Sequence, residues 1–220
     1  MLLRRSFSRM SQYVSWQGKN ITTENLGSCP FATFRQWLDL AKADGGIPEP
    51  NAMYLSTIDD DGYPACRVVL LKGFDERGFQ FFTNYESNKG NHLAKTPKAA
   101  MTVWWGKLER QVRIVGDVTK LSAAESDQYF SSRPHGSQLG AWVSNQSREI
   151  IDREVLEKRM EELREMYPEG TPVPRPPHWG GYCLTPLSVE FWQGGQHRLH
   201  DRILFSRDGD APWRTVRLSP

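Results

Sequence analysis

Strand-like segments in this chain follow one another in runs, and the helix-like segments fall in blocks between those runs. That order admits an antiparallel barrel or sheet with helices packed outside, a mainly β architecture, and disfavours repeated βαβ units. The strand pattern begins after Asn51. Residues 52–58 lead through the turn Asp59-Asp60-Asp61-Gly62 into a strand over residues 63–72. Within it Arg67-Val68-Val69-Leu70-Leu71-Lys72 is almost continuously apolar between two cations, which predicts a central strand buried on both faces. Asp75-Glu76-Arg77-Gly78 turns the chain into residues 79–83. Further strands are expected at residues 99–105 and 110–121, joined across Gly106. The last are expected at 179–184, 188–192, 198–206 and 213–218, the final pair joined by Asp208-Gly209-Asp210.

The helix blocks carry their own signals. Ser28 is the expected N-cap of a first helix, with Pro30 in its first turn and Phe31, Phe34, Leu38 and Ala41 as its apolar stripe, ending at Gly45-Gly46. Ser87 caps a short helix that runs to Thr96 and stops before Pro97. Ser122-Ala123-Ala124-Glu125 is a capping box opening a helix toward Ser132. A further helix is predicted over residues 152–167, with Leu156, Met160, Leu163 and Tyr167 on one stripe, before a stiff Pro-rich spacer at 171–177. Residues 1–27 are polar and irregular and read as a mobile arm, which leaves 28–220 as a single domain. The first ten residues, MLLRRSFSRM, are basic and free of acids; a mitochondrial presequence and a frayed, solvated terminus both fit them.

Composition narrows the partners. A formal charge of +2 over 220 residues is too small to make nucleic acid or a membrane the main partner, so any anion must be held by local clusters of Arg and Lys. Eight tryptophans favour aromatic-rich strands or a ring-binding cleft. Cys29, Cys66 and Cys183 are far apart with no C-x-x-C pair, and read as reduced, mostly buried thiols of a cytoplasmic protein. No apolar stretch is long enough to span a bilayer. No G-x-G-x-x-G, G-x-x-x-x-G-K or G-x-S-x-G motif occurs, and His197 and His200 lack Cys or acidic partners at zinc spacing, so no metal site is expected.

Three cationic clusters remain. Arg67 and Lys72 bracket the apolar strand at an odd offset, so they are expected on opposite faces, serving two different anions. Tyr129-Phe130-Ser131-Ser132-Arg133-Pro134 with Ser137 places one guanidinium and several hydroxyls at a helix end, which suits a phosphate dianion. The third cluster, Glu190 to Arg202, carries Trp192, Arg198, His200 and Arg202 around a Gly194-Gly195 turn. Each alone is as well explained by strand-end charge, dipole capping or surface ion pairs. Their coincidence is not.

The string VEFWQGGQHRLHDR, ending at Arg202, resembles the signature of the pyridoxine 5′-phosphate oxidase family. So do RVVLLKGF from Arg67, RQVRIVG from Arg110, YFSSRPHGSQLGAWVSNQS from Tyr129, and the terminal RLSP. The likeness runs in one order from about Phe31 to Pro220. It implies an FMN-binding split β-barrel that works as a homodimer with the flavin at the subunit interface. It implies an oxidase that converts pyridoxamine 5′-phosphate or pyridoxine 5′-phosphate to pyridoxal 5′-phosphate, with oxygen as acceptor and hydrogen peroxide released. By the same resemblance Arg67, Val68, Val69, Leu70, Phe82, Thr83, Lys89, Gln111, Gln146, Ser147, Trp192 and Arg202 line the FMN. Lys72, Tyr129, Arg133 and Ser137 hold the substrate phosphate, while Arg198, Leu199 and His200 face the pyridine ring, with Arg198 and His200 in the catalytic role. Two positions depart from the family pattern. Asn88-Lys89 stands where Arg-Lys is usual, and Met10-Ser11-Gln12-Tyr13 lacks a basic residue usual there. A non-catalytic split-barrel carrier or sensor of FMN or pyridoxal phosphate is the main rival reading, and a flavin reductase the second. Retention of Arg198, His200 and the phosphate set speaks against both.

Overall fold

The computed structural model describes residues 20–220. The leader-like first ten residues, the Met10–Tyr13 departure and most of the expected arm lie outside the described residues. The arm's last eight residues are held: Ile21 and Leu26 are buried, and Ile21 N–H donates to Asp201 Oδ2 at 3.1 Å.

Among the described residues nine strands form one antiparallel sheet: β1 (Ala52–Ile58), β2 (Pro64–Leu70), β3 (Gly73–Asp75), β4 (Gly78–Asn84), β5 (Lys98–Trp105), β6 (Arg110–Lys120), β7 (Trp179–Gln193), β8 (Asp201–Ser206) and β9 (Arg214–Leu218). The main path runs β2-β1-β5-β6-β7-β4-β3, with β8 and β9 branching from β7. Its two end strands, β2 and β3, are separated in sequence by Leu71 and Lys72 alone. Lys72 N–H also donates to Gln80 O of β4 at 2.9 Å. A sheet whose ends are tied this closely must curl upon itself, which yields the barrel expected of an order rich in strands.

Two alternating-strand expectations are corrected. Residues 179–184 and 188–192 are parts of one long strand, β7, and not two. Its first half pairs with β4 and its second with β8, while β6 runs beside both and absorbs the change in a register shift at Val115/Gly116. Pro186 sits opposite Gly116 at that shift, where a missing ladder donor is tolerated. Residues 198–200 lie before β8 in a short 3₁₀ turn and its exit. The second correction concerns β2, which is an edge strand pairing only with β1 and not a doubly buried one. Val69 packs on the core, but Val68 on the other face is 56% exposed. A continuous apolar run has the same appearance whether its second face is buried in its own chain or left for another.

Five α-helices among the described residues cover the barrel: α1 (Pro30–Ala43), α2 (Asn88–Lys95), α3 (Ala123–Ser131), α4 (His135–Val143) and α5 (Glu154–Met166). The N-cap of α1 is Cys29, one residue past Ser28, and Pro30 opens the helix. Its stripe of Phe31, Phe34, Leu38 and Ala41 is buried, joined by Trp37. Phe34 packs edge-on against Phe74 and Phe79, which anchors α1 on the barrel. Ser87 caps α2 by accepting from Gly90 N–H, and the capping box of Ser122 and Glu125 opens α3 as its sequence predicts. The helix α4 carried no cap and no clean stripe, and sequence patterning missed it. It packs with α5 on a second apolar cluster containing Phe130, Leu139, Val173 and Trp179, onto which Met160, Leu163 and Tyr167 also fold.

Of the cysteines, Cys183 is buried, and burial first of all pushes its thiol up to about 11; Cys29 and Cys66 are exposed, against expectation. No described helix is long and apolar enough to cross a membrane, and no group of three or more potential metal ligands occurs among the described residues.

Candidate active site

A cleft of about 580 Å³ opens between the β2–β4 side of the barrel and the helical layer. Val68, Val69, Leu70 and Lys72 line it from β2 and its exit, and Phe82 and Thr83 from β4. Lys89 enters from α2, Tyr129 from α3, Arg133 and Ser137 from the α3–α4 junction, and Gln146 from the loop after α4. Eleven of the residues singled out in the sequence therefore share one cavity.

One wall is aromatic. Phe82 and Tyr129 stack with centroids 3.9 Å apart, and Trp179 continues the stack at 5.6 Å from Phe82. Arg133 lies over Trp179, its guanidinium carbon 4.5 Å from the ring centroid. Trp179 was read only as a strand start; nothing in its sequence neighbourhood marks it as a platform.

The other wall is cationic and free of acids. Lys89 Nζ donates to Gln146 Oε1 at 2.9 Å and to Thr83 Oγ1 and Ser87 Oγ at 3.2 Å. Burial, and then the nearby Arg67, lower its ammonium to about 8. Burial also pulls the Arg67 and Arg133 guanidiniums below their ordinary value. Arg67 turns its Nη1 onto Thr57 Oγ1 at 2.7 Å and Leu55 O at 3.2 Å. Arg133 Nη1 is buried with no hydrogen-bond partner. Half-buried cations without a carboxylate, one with an orphaned donor, are costly unless an anion joins them. Asn88, beside Lys89 at the start of α2, is exposed, and Ser147, after Gln146, is exposed with a φ of 68°. The expectation that Arg67 and Lys72 project from opposite faces of one strand does not apply, because β2 ends at Leu70.

The remaining candidates lie elsewhere. Gln111 pairs with Trp192, and Trp192 with Arg202, at the far end of β6, β7 and β8. Trp192 contacts His200 with centroids 4.6 Å apart, and His200 Nδ1 accepts from Gly195 N–H at 3.2 Å. That contact leaves the ring's proton on Nε2 when it is neutral. His197 and Arg198 both hold positive φ values, 55° and 64°, and Arg198 and Leu199 are exposed. Consecutive non-glycine residues in this region cost roughly 1–3 kcal/mol each, a strain typical of functional turns. Arg202 is bound by Glu190, through Nε at 2.8 Å, and by Ser219 O. Arg113 pairs with the same carboxylate, which burial would raise but these two arginines hold below the usual range. Thr83 pairs with Gly180 and Gln111 with Trp192, so twelve residues of β7, roughly 40 Å of contour, separate the two sets.

Fold and cleft together define a split-barrel protein whose cavity suits a planar, anionic ring compound. A model of the family described as pyridoxamine 5′-phosphate oxidase matches residues 40–167, and one for the pyridoxine 5′-phosphate oxidase C-terminal dimerisation region matches 179–220. A pyridoxine/pyridoxamine 5′-phosphate oxidase of Nostoc punctiforme is 55% identical over 216 residues, covering 96% of this chain and all of that one. One from Cupriavidus necator is 56% identical, covering 91% and 93%. Among solved structures, PhzG of Burkholderia lata, in complex with tetrahydrophenazine-1-carboxylic acid, superposes with a TM-score of 0.84 at 32% identity, covering 92% of this chain and all of that chain. The chain belongs to the pyridoxine/pyridoxamine 5′-phosphate oxidase family, and with it to the oxidoreductases.

Proposed function

We propose that this chain is a homodimeric flavoprotein that binds FMN and oxidises pyridoxamine 5′-phosphate or pyridoxine 5′-phosphate to pyridoxal 5′-phosphate. The observation that carries the reading is the cleft lining of Lys72, Lys89 and Arg133, with no acid among the lining residues and with the Arg67 charge near Lys89, beside the Phe82–Tyr129–Trp179 stack. Two phosphate-bearing rings would satisfy both walls. When bound, FMN supplies a two-electron acceptor, which oxygen regenerates with release of hydrogen peroxide.

Arg67, Asn88, Lys89, Gln146 and Ser147 would hold the FMN phosphate, with Val68–Leu70, Phe82 and Thr83 along the flavin. Lys72, Tyr129, Arg133 and Ser137 would hold the substrate phosphate. Gln111, Trp192 and Arg202 would meet the flavin, and Arg198, Leu199 and His200 the substrate ring, from the opposite end of β7. One protomer's cleft is thus completed by the other's far end, which is the physical argument for a dimer. His200 then presents Nε2–H to the substrate, and Arg198 steadies negative charge there. Trp192 packs at a tilt against His200 and limits its rotation.

Purified protein supplied with pyridoxamine 5′-phosphate, pyridoxine 5′-phosphate, their unphosphorylated forms, or tetrahydrophenazine-1-carboxylic acid tests the reading. Oxygen consumption with the two phosphates alone is expected. Bound flavin with no turnover would favour a carrier, and turnover with the phenazine acid alone would replace the substrate class.

A further inference from the structure

Arg67, whose charge lies near the cleft residue Lys89, is held by a buried hydroxyl. Thr57, on β1, is 1% exposed. Its Oγ1 lies 2.7 Å from Arg67 Nη1 and 3.0 Å from His92 Nδ1. A guanidinium can only donate, so Thr57 Oγ1 accepts from Arg67, and the same hydroxyl has a donor and a second lone pair with which to bond His92 Nδ1 in either tautomer. His92 sits on α2, one turn after Lys89 and on the same side of the helix. One hydroxyl therefore ties the arginine of β2 to the helix that carries the lysine. The tie has something to resist: Arg67 and Lys89 repel each other, and no carboxylate among the described residues offsets them. A long side chain with several rotatable bonds would otherwise relax toward solvent.

We propose that Thr57, tied on its other side to His92, is a positioning residue that fixes the Arg67 guanidinium beside Lys89 in readiness for a phosphate dianion. The proposal rests on the reading that Arg67 and Lys89 hold the FMN phosphate. Thr57 touches neither ring nor phosphate; it acts through Arg67, by keeping a preformed anion cradle from collapsing when the ligand leaves. Leu55 O, the other acceptor of Arg67 Nη1, is a backbone atom and cannot link β1 to α2.

Dissociation constants for FMN, measured on the full-length holoenzyme by flavin fluorescence upon dilution, test this with Thr57→Val, Thr57→Ser, Arg67→Ala and the double variant Thr57→Val/Arg67→Ala. Valine keeps the shape and loses the oxygen, whereas serine keeps the hydroxyl. Thr57→Val is expected to weaken FMN about three- to thirtyfold, less than the roughly ten- to hundredfold of a lost direct hydrogen bond to a charged group, because Leu55 O still holds Arg67. Thr57→Ser should bind nearly as the parent does, and the effect of Thr57→Val should vanish on the Arg67→Ala background. An unchanged constant in Thr57→Val, or an equal loss with and without Arg67, overturns the proposal while leaving the phosphate reading intact. An unchanged constant in Arg67→Ala overturns the phosphate reading, and this proposal with it. Where Thr57→Val does not accumulate, His92→Leu removes the hydroxyl's partner on the helix side and must show the same dependence on Arg67.

Discussion

Lys89 shows how burial at a single residue becomes a measurable pH dependence. Its ammonium titrates near 8 in the fold against an ordinary 10.5, so between these values the unfolded chain binds more protons than the folded one. The sign follows: its charge destabilises the ligand-free protein fully below about 8, and stability rises as pH increases through that window. A phosphate dianion reverses the preference by favouring the charged amine. FMN affinity should therefore fall as pH rises past about 8, with proton uptake on binding, and Lys89→Met should bind weakly at every pH without that slope. Isothermal titration in two buffers of different ionisation enthalpy reads the proton count directly, and no uptake above pH 8 would exclude the assignment. Arg133 gives a second expectation. Its orphaned Nη1 and its seat on Trp179 suit substrate binding, so Arg133→Ala should raise KM about ten- to a hundredfold with a smaller change in kcat. Asn88 brings no charge to the same helix end, and Asn88→Arg is expected to tighten FMN by about 1–2 kcal/mol in a fluorescence titration.

At the scale of elements, α2 is the hinge between fold and site. Gly90 within it would ordinarily be a weakness worth about 1 kcal/mol against alanine. Here a Cβ would fall 2.0 Å from the backbone oxygen of Tyr85, so the helix sits closer to the chain before it than any other residue allows. Gly90→Ala should accordingly lower the melting temperature despite its higher helix propensity, and should weaken FMN because Lys89 moves with the helix. A stabilised variant with unchanged affinity would disprove the close approach. Elements of this kind were legible where a local signal exists: Ser87 and Ser122 as caps, the Asp75–Gly78 turn, the stripe of α1. The helix α4 was illegible because Pro134 at its cap position makes no side-chain hydrogen bond. The continuity of β7 was hidden by Pro186, which reads as a break and is in fact housed at a register shift. In the cleft, sequence marked the cations but not Trp179, nor Thr57 buried behind them, since both act through partners distant in the chain.

At the scale of the whole molecule, the outer face of β1, β2 and β5 leaves apolar side chains in water. Tyr54 and Val68 are cross-strand partners, 49% and 56% exposed, and Trp104 nearby is 45% exposed. Such a face is more apolar than a solitary domain needs, and a second copy would cover it. Tyr54→Glu should shift the protein from dimer to monomer in sedimentation, with loss of bound FMN in the same fraction; a stable, flavin-loaded dimer would count against this face. The long strand β7 has a further consequence, one of timing. Its first half pairs with β4, roughly a hundred residues earlier in the chain, so the barrel closes through contacts of high sequence separation and is expected to do so slowly. Until residues after Trp179 leave the ribosome there is no platform under Arg133 and no strand to join the two ends of the site. The flavin is therefore expected to arrive as a late guest, stabilising a barrel that has already closed.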